Sequence, residues 1–263
     1  MNRRFTAPYF LTLAFALGAA GLRLWNLIAG VDDRGLPVMH LSMVLLLILG
    51  GVFLATALIC ALGSPGRCGR HYVLHYNLGS YATGMVAAGL ILVGACVEFA
   101  EALVAGPGIS APIMLLLGLL GGVCCFLTVS FRRRGDRCCP PAELMPILYL
   151  LIKLILNFKG WSTDPIILDY CLILFALIFS LLAFYYGAGF VFDQGKPRRT
   201  LFCAMGAVFF CAGAMMDGFM DLSFSTVITY GGFLLWQLPV IWGLLLPCTP
   251  DPKKPRDAKE NGN

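Results

Sequence analysis

Apolar residues run continuously along most of this chain and do not alternate with polar ones. A helix needs about 20 apolar residues to cross the hydrocarbon core of a bilayer, whereas a membrane barrel requires alternation. The pattern therefore predicts an all-α fold, a polytopic membrane bundle of about eight transmembrane helices. The predicted spans are Pro8–Ala29, Val38–Leu62, Leu78–Leu103, Ile109–Phe131, Leu144–Asn157, Pro165–Phe190, Leu201–Met220 and Val227–Leu246.

The composition agrees with a lipid environment. Hydrophobic residues make up 59% of the chain and charged residues 13%, with a mean hydropathy of +0.83. A soluble domain has about a quarter of its residues charged, because its whole surface faces water. The net charge of +5 does not indicate nucleic acid, because the basic residues are scattered between apolar runs. The predicted partner is the lipid bilayer, with a membrane-protein partner or a homo-oligomer as further options.

The basic residues predict the orientation, because cytoplasmic loops retain Lys and Arg. One set of alternate connections holds 15 of the 19 basic residues, and the other holds Arg34 and Lys159. Both termini are therefore predicted to be cytoplasmic, in a multi-pass protein of the cell membrane. The fifth span is the weakest, because it is short and contains Lys153. It is kept because, without it, the basic residues after position 195 would fall outside.

The chain is predicted to contain a transmembrane domain over residues 1–248 and a disordered cytoplasmic tail over 249–263, which is rich in Pro and charge. A weak internal similarity in residue spacing suggests two parallel four-helix halves, 1–137 and 138–248. Arg23 precedes Gly30 by seven residues, as Lys153 precedes Gly160. Gly94 precedes Glu98 by four, as Gly213 precedes Asp217. Short matches of this kind also arise by chance among hydrophobic helices.

Ionisable residues near the predicted outer ends of the spans are the main functional signal. An ionised group at membrane depth is costly, so it is expected to face the bundle interior or a water-filled cavity. Two cations stand against five acids there. These substrate-binding or ion-binding candidates are Arg23, Glu98, Glu101, Lys153, Asp169, Asp217 and Asp221.

Two interpretations of these residues stay open. In the functional one, the excess of acid forms an outward-facing vestibule that binds a proton, an ion or a cationic solute. In the structural one, which is favoured, Arg23 and Lys153 each pair with one acid and lock helices together, while the remaining acids lie in the headgroup layer. Gln237 and Pro239 add a second signal, because a proline near mid-membrane can interrupt a helix beside a binding site.

A weaker pattern lies in the second basic connection. Cys68, His71 and His75 are spaced so that the two histidines would share a helix face, and zinc uses such ligands. The spacing matches no recognised zinc motif, so the favoured reading is two histidines at the headgroups. No metal site and no cofactor are predicted.

The best functional hypothesis is a small transporter or channel-like subunit for a proton, ion or cationic solute. The alternative is a non-enzymatic accessory or scaffold subunit that acts through helix contacts with a partner. An intramembrane enzyme is the weakest reading. It would need the acids and the histidines in one site, and these are predicted at opposite membrane faces. No catalytic residue is predicted.

Overall fold

The computed structural model describes residues 3–29, 41–64, 74, 76–106, 108, 110–135, 139–161, 171–220 and 223–245. Within these residues the chain forms eight α-helices and no strand. The helices are α1 (Arg3–Ala29), α2 (Leu41–Gly63), α3 (Leu78–Ala105), α4 (Ser110–Arg134), α5 (Pro140–Trp161), α6 (Cys171–Ala188), α7 (Pro197–Met220) and α8 (Phe224–Leu245). Each is long and apolar enough to span a membrane. The predicted helical membrane bundle is thus confirmed, and the protein is a multi-pass membrane protein.

The helix α5 is longer than predicted at both of its ends. It begins at Pro140 rather than Leu144 and extends to Trp161. Proline suits the first turn of a helix, because the amide it lacks would have no partner there. The buried Glu143 in this first turn pairs with a cation on α4, so the helix continues beyond its apolar run. The fifth span, the weakest by sequence, is a full-length helix.

Six of the helices form a closed ring. Each helix from α3 to α8 packs against the next one in the chain, and α8 packs back against α3. The helices α1 and α2 lie outside this ring, where both contact α7. As a result, most of α7 and α8 is buried in protein, whereas most of α2 is exposed on the surface of the bundle.

Aromatic side chains fill the interior of the ring. The ring centroid of Phe233 on α8 lies 6.4 Å from that of Tyr149 on α5 and 6.4 Å from that of Phe184 on α6. Phe184 also stacks on Trp236, at 5.4 Å between centroids. Side chains from α8 therefore reach the opposite wall of the ring, so its middle is packed.

Glycines allow the helices of the ring to approach closely, as the small-residue run at Gly118–Gly122 predicts. A Cβ atom added at Gly122 would lie 2.9 Å from Cβ of Leu92, and one at Gly118 would overlap Ala95, so α4 rests directly on α3. At Gly232 an added Cβ would lie 2.9 Å from Cγ1 of Ile91, which brings α8 equally close to α3.

The proposed division into halves stays a prediction. The ring takes two helices from residues 1–137 and all four from 138–248, so the two segments do not occupy equivalent places in the bundle. The tail over 249–263 lies outside the described residues. We use "predicted outer end" for the end of the bundle where α1, α3, α5 and α7 finish, and "predicted cytoplasmic end" for the other.

Candidate functional site

A buried lysine and a partly exposed glutamate form the first ion pair at the predicted outer end. Lys153 Nζ on α5 donates to Oε1 and Oε2 of Glu98 on α3, at 2.7 and 2.6 Å. The Tyr149 hydroxyl donates to Oε2 of the same carboxylate at 3.5 Å. The Lys153 side chain is 7% exposed and that of Glu98 is 31% exposed. The carboxylate therefore covers the ammonium group and remains accessible itself.

Helix positions explain this arrangement. Glu98 lies seven residues from the end of α3, and Lys153 eight residues from the end of α5. At 1.5 Å of rise per residue, both lie about 10–12 Å below the predicted outer end. Tyr149 precedes Lys153 by four residues and so shares its helix face. That spacing was visible in the sequence, although Tyr149 was not among the predicted site residues.

Glu98 opens into a cleft between α3, α4 and α5. The cleft has a volume of about 190 Å³. Its lining mixes apolar side chains with the polar groups of Glu98, Ser110 and Asn157. Lys153 does not line the cleft, so of the two members of this ion pair only the carboxylate contacts a molecule that occupies it. The site consists of one accessible acid in a cleft of mixed polar and apolar lining.

A second ion pair joins α1 to α7. Arg23 Nε donates to Oδ1 of Asp217 at 2.6 Å, and the two side chains are 5% and 6% exposed. This pair is closed off from the surface, unlike the pair at Glu98. Each predicted cation thus pairs with one acid, as the structural interpretation expects.

Three buried polar groups lie on α8, and one of them, the hydroxyl of Tyr230, lies near both ion pairs. The Tyr230 hydroxyl is close enough to interact electrostatically with both Glu98 and Asp217. Among the described residues, this hydroxyl has no hydrogen-bond partner, nor do Oγ1 of Thr229 and Nε2 of Gln237. All three residues are at most 2% exposed. An unsatisfied buried polar group costs about 1–3 kcal/mol, so such groups usually mark bound water or a ligand.

Glu101 serves a different neighbour from Glu98, although the two share a face of α3. Its Oε1 accepts a hydrogen bond from the Ser225 amide at 3.1 Å, and its Oε2 accepts one from the Ser225 hydroxyl. Ser225 is the second residue of α8, where amides have no partner within the helix. Glu101 therefore caps the N-terminus of α8, and its negative charge interacts favourably with the positive end of the helix dipole. Glu101 does not line the cleft at Glu98, and the predicted vestibule of acids stays a prediction.

A third ion pair, which the sequence did not predict, lies at the predicted cytoplasmic end. The guanidinium of Arg132 donates to the Tyr76 hydroxyl at 2.8 Å and to Oε1 of Glu143 at 2.9 Å. Burial raises the pKa of Tyr76 above its ordinary value, and the neighbouring Arg132 opposes this rise. The only sequence signal was the run of three arginines, which was interpreted as a marker of orientation.

The remaining predicted residues lie outside the described part of the chain. These are Asp169 and Asp221 among the acids, and Cys68, His71 and His75 of the weak zinc pattern. Gln237 and Pro239, the predicted interruption of the last helix, lie within α8, which stays helical to Leu245.

The fold and the site together define a multi-pass helical membrane protein with buried ion pairs, one of which opens to a cleft through the carboxylate of Glu98. Comparison with protein-family models, with curated proteins and with solved structures finds no match to this chain.

Proposed function

We propose that the protein is a small transporter or channel-like subunit for a proton, an ion or a cationic solute, and that Glu98 is the group the cation meets. The observation that carries this proposal is the exposure of the Glu98 carboxylate to a cleft while its counterion Lys153 is buried. A carboxylate held at membrane depth is costly unless it has a partner or a role. Glu98 has Lys153 as its partner, and its side chain also remains partly exposed.

Polar groups inside the ring support a route beyond Glu98. The Tyr230 hydroxyl interacts electrostatically with Glu98, and the amide of Gln237 lies seven residues further along the same helix face. Gln237 is about 20 Å below the start of α8 at 1.5 Å per residue, close to mid-membrane. Among the described residues, the Tyr230 hydroxyl and Nε2 of Gln237 have no hydrogen-bond partner, so both can bind a proton-carrying water or a solute. The packed aromatic interior favours a transporter that rearranges over an open pore.

The test is flux through proteoliposomes that contain the purified full-length protein. Proton flux is measured with an enclosed pH-sensitive dye, and cation uptake with radioactive sodium or rubidium. The informative variant is the double substitution Glu98→Gln with Lys153→Gln, which removes both charges together and leaves neither one stranded. We expect at least a tenfold loss of flux.

The matched control replaces the other ion pair of the predicted outer end, through Arg23→Gln with Asp217→Asn. This pair is closed to the surface, so we expect flux to remain within about twofold of the wild type once folding is verified by size-exclusion chromatography. Wild-type flux no greater than that of empty liposomes contradicts the proposal. Equal flux in the wild type and the Glu98 double variant contradicts the role of Glu98.

A second candidate function, the accessory or scaffold subunit, is favoured by a different observation. Asp217 and Glu101, like Glu98, each bind a neighbouring helix, which is what a rigid framework requires. A stoichiometric membrane partner that is retained after mild solubilisation and crosslinking, together with a lack of flux, would favour this function. A clean monomer would count against it.

A further inference from the structure

The size and the lining of the cleft at Glu98 restrict which ligands it can hold. Its walls include Phe99, Met114 and Leu156, and its volume is about 190 Å³. Pockets for drug-sized ligands are larger, about 300–1,000 Å³. The cleft therefore holds a group the size of a lipid headgroup amine, and any larger part of the ligand lies outside it.

We infer that this cleft binds the ammonium group of an amphipathic amine, with Glu98 as the acceptor and the apolar chain of the ligand directed toward the bilayer. This inference rests on the proposed function and names its substrate class. The ammonium group could belong to a soluble alkylamine or to an aminophospholipid, and the experiment below distinguishes these two sources.

Hydrogen-bonding capacity at Glu98 permits such a ligand. A carboxylate has about four acceptor positions on its two oxygens. Lys153 donates one hydrogen bond to each oxygen, and Tyr149 donates a long one to Oε2. Capacity for about one further hydrogen bond therefore remains. Because the Glu98 side chain is 31% exposed and lines the cleft, we place that remaining acceptor position there.

Charge and surroundings select a cation over an anion. Lys153 is buried and does not line the cleft, so its ammonium group cannot contact a ligand there. An anionic headgroup in the cleft would lie next to the Glu98 carboxylate and be repelled by it. Phe99 contributes an aromatic ring to the lining, and aromatic rings attract cations electrostatically. Apolar side chains such as Met114 and Leu156 also line the cleft, and they favour a ligand whose charge is attached to a hydrocarbon chain over a hydrated metal ion.

The experiment measures equilibrium binding of radiolabelled dodecylammonium to the full-length protein in phosphatidylcholine nanodiscs, corrected for empty nanodiscs. Dodecyl sulfate is the charge control. The blocking variant is Ala102→Trp, because Ala102 lines the cleft. Its matched control is Val104→Trp, which adds the same side chain two residues further along α3 at a position that is 92% exposed.

We expect saturable binding of dodecylammonium, at least tenfold weaker binding in Ala102→Trp, and unchanged affinity in Val104→Trp. The double variant Glu98→Gln with Lys153→Gln should lose affinity to a similar degree, and it keeps the test decisive if Ala102→Trp does not fold. Equal affinities in the two tryptophan variants overturn the inference, as does equally tight binding of dodecyl sulfate.

Replacing part of the phosphatidylcholine with phosphatidylethanolamine assigns the source of the amine. Competition that occurs in the wild type and equally in Val104→Trp supports the site and identifies a lipid headgroup as its occupant. Binding without such competition supports the site with a soluble amine as occupant. If flux of protons or metal ions depends on Glu98 while dodecylammonium does not bind, the inference fails and the proposed function stands. If the amine binds while no flux is observed, the site stands and the proposed function fails.

Discussion

Arg23 and Asp217 lie 194 residues apart in the chain, and their side chains are joined by a hydrogen bond of 2.6 Å in the interior of the bundle. This contact fixes α1, a helix outside the six-helix ring, to α7, which belongs to the ring. Two opposite charges removed from water stabilise each other only as a pair, so the contact predicts a specific pattern of mutational effects.

Removing one partner of this pair should be far worse than removing both. Asp217→Asn or Arg23→Met leaves one buried charge uncompensated, and the expected loss is about 3–5 kcal/mol of unfolding free energy. The double variant Arg23→Met with Asp217→Asn should recover much of that loss. Thermal unfolding in detergent, followed as a double-mutant cycle, measures the difference. Additive effects of the two single substitutions would contradict the prediction.

The pair at Glu98 should respond asymmetrically, because its two members are exposed to different degrees. Glu98→Gln strands the buried Lys153, whereas Lys153→Met leaves a carboxylate that can still be solvated from the cleft. We expect Glu98→Gln to lower the unfolding temperature by several degrees more than Lys153→Met does. Equal shifts, or a larger shift in Lys153→Met, would show that the cleft does not solvate the carboxylate.

The close packing of α8 on α3 predicts a contrast between two adjacent glycines. A Cβ at Gly232 would lie 2.9 Å from Cγ1 of Ile91 and 3.1 Å from its backbone nitrogen, which cannot move freely. Gly232→Ala should therefore destabilise the protein by about 1–3 kcal/mol, as overpacking typically does. The control is Gly231→Ala, whose new methyl group would meet the flexible Met215 side chain at 3.5 Å. Thermal unfolding of the two variants side by side tests this contrast.

At the predicted cytoplasmic end, we expect that a substitution of Arg132 that keeps only its positive charge will still destabilise the protein. The two terminal nitrogens of Arg132 bind different partners, the Tyr76 hydroxyl and the Glu143 carboxylate. A lysine has a single ammonium group and cannot reproduce this planar geometry. Arg132→Lys should cost about 1–3 kcal/mol through the lost hydrogen bond to a buried group. Arg134→Lys, at an exposed position on the same helix, is the control and should leave the unfolding temperature unchanged.

The sequence predicted the presence of the helices well, because each helix must be stable in the bilayer through its own backbone hydrogen bonds and apolar side chains. Within hydrocarbon, every backbone amide and carbonyl must be satisfied inside its own helix, so length and apolar content suffice to identify a span. The fifth helix was predicted too short at its beginning, because its first turn contains Pro140 and Glu143 rather than a continuous apolar run. A buried Glu143 is stable there only because Arg132 lies opposite it on another helix.

The site was only partly predictable for a related reason. Ionisable residues at membrane depth were visible as exceptions in apolar runs, which is how Arg23, Glu98, Lys153 and Asp217 were identified. Tyr149 and Tyr230 were not, since a tyrosine in an apolar helix resembles any other aromatic residue. Their importance comes from the carboxylates beside them, which belong to other helices.

By itself, the sequence determined the number of helices found among the described residues, their approximate places in the chain and the presence of charges that need partners. Only the tertiary structure decided which charges meet. Glu98 and Glu101 lie on one face of α3 by their spacing, yet one binds Lys153 on α5 and the other caps α8 at Ser225. The physical reason is that helical periodicity specifies a residue's direction around its own axis. The neighbour found in that direction depends on how the six helices of the ring pack against one another.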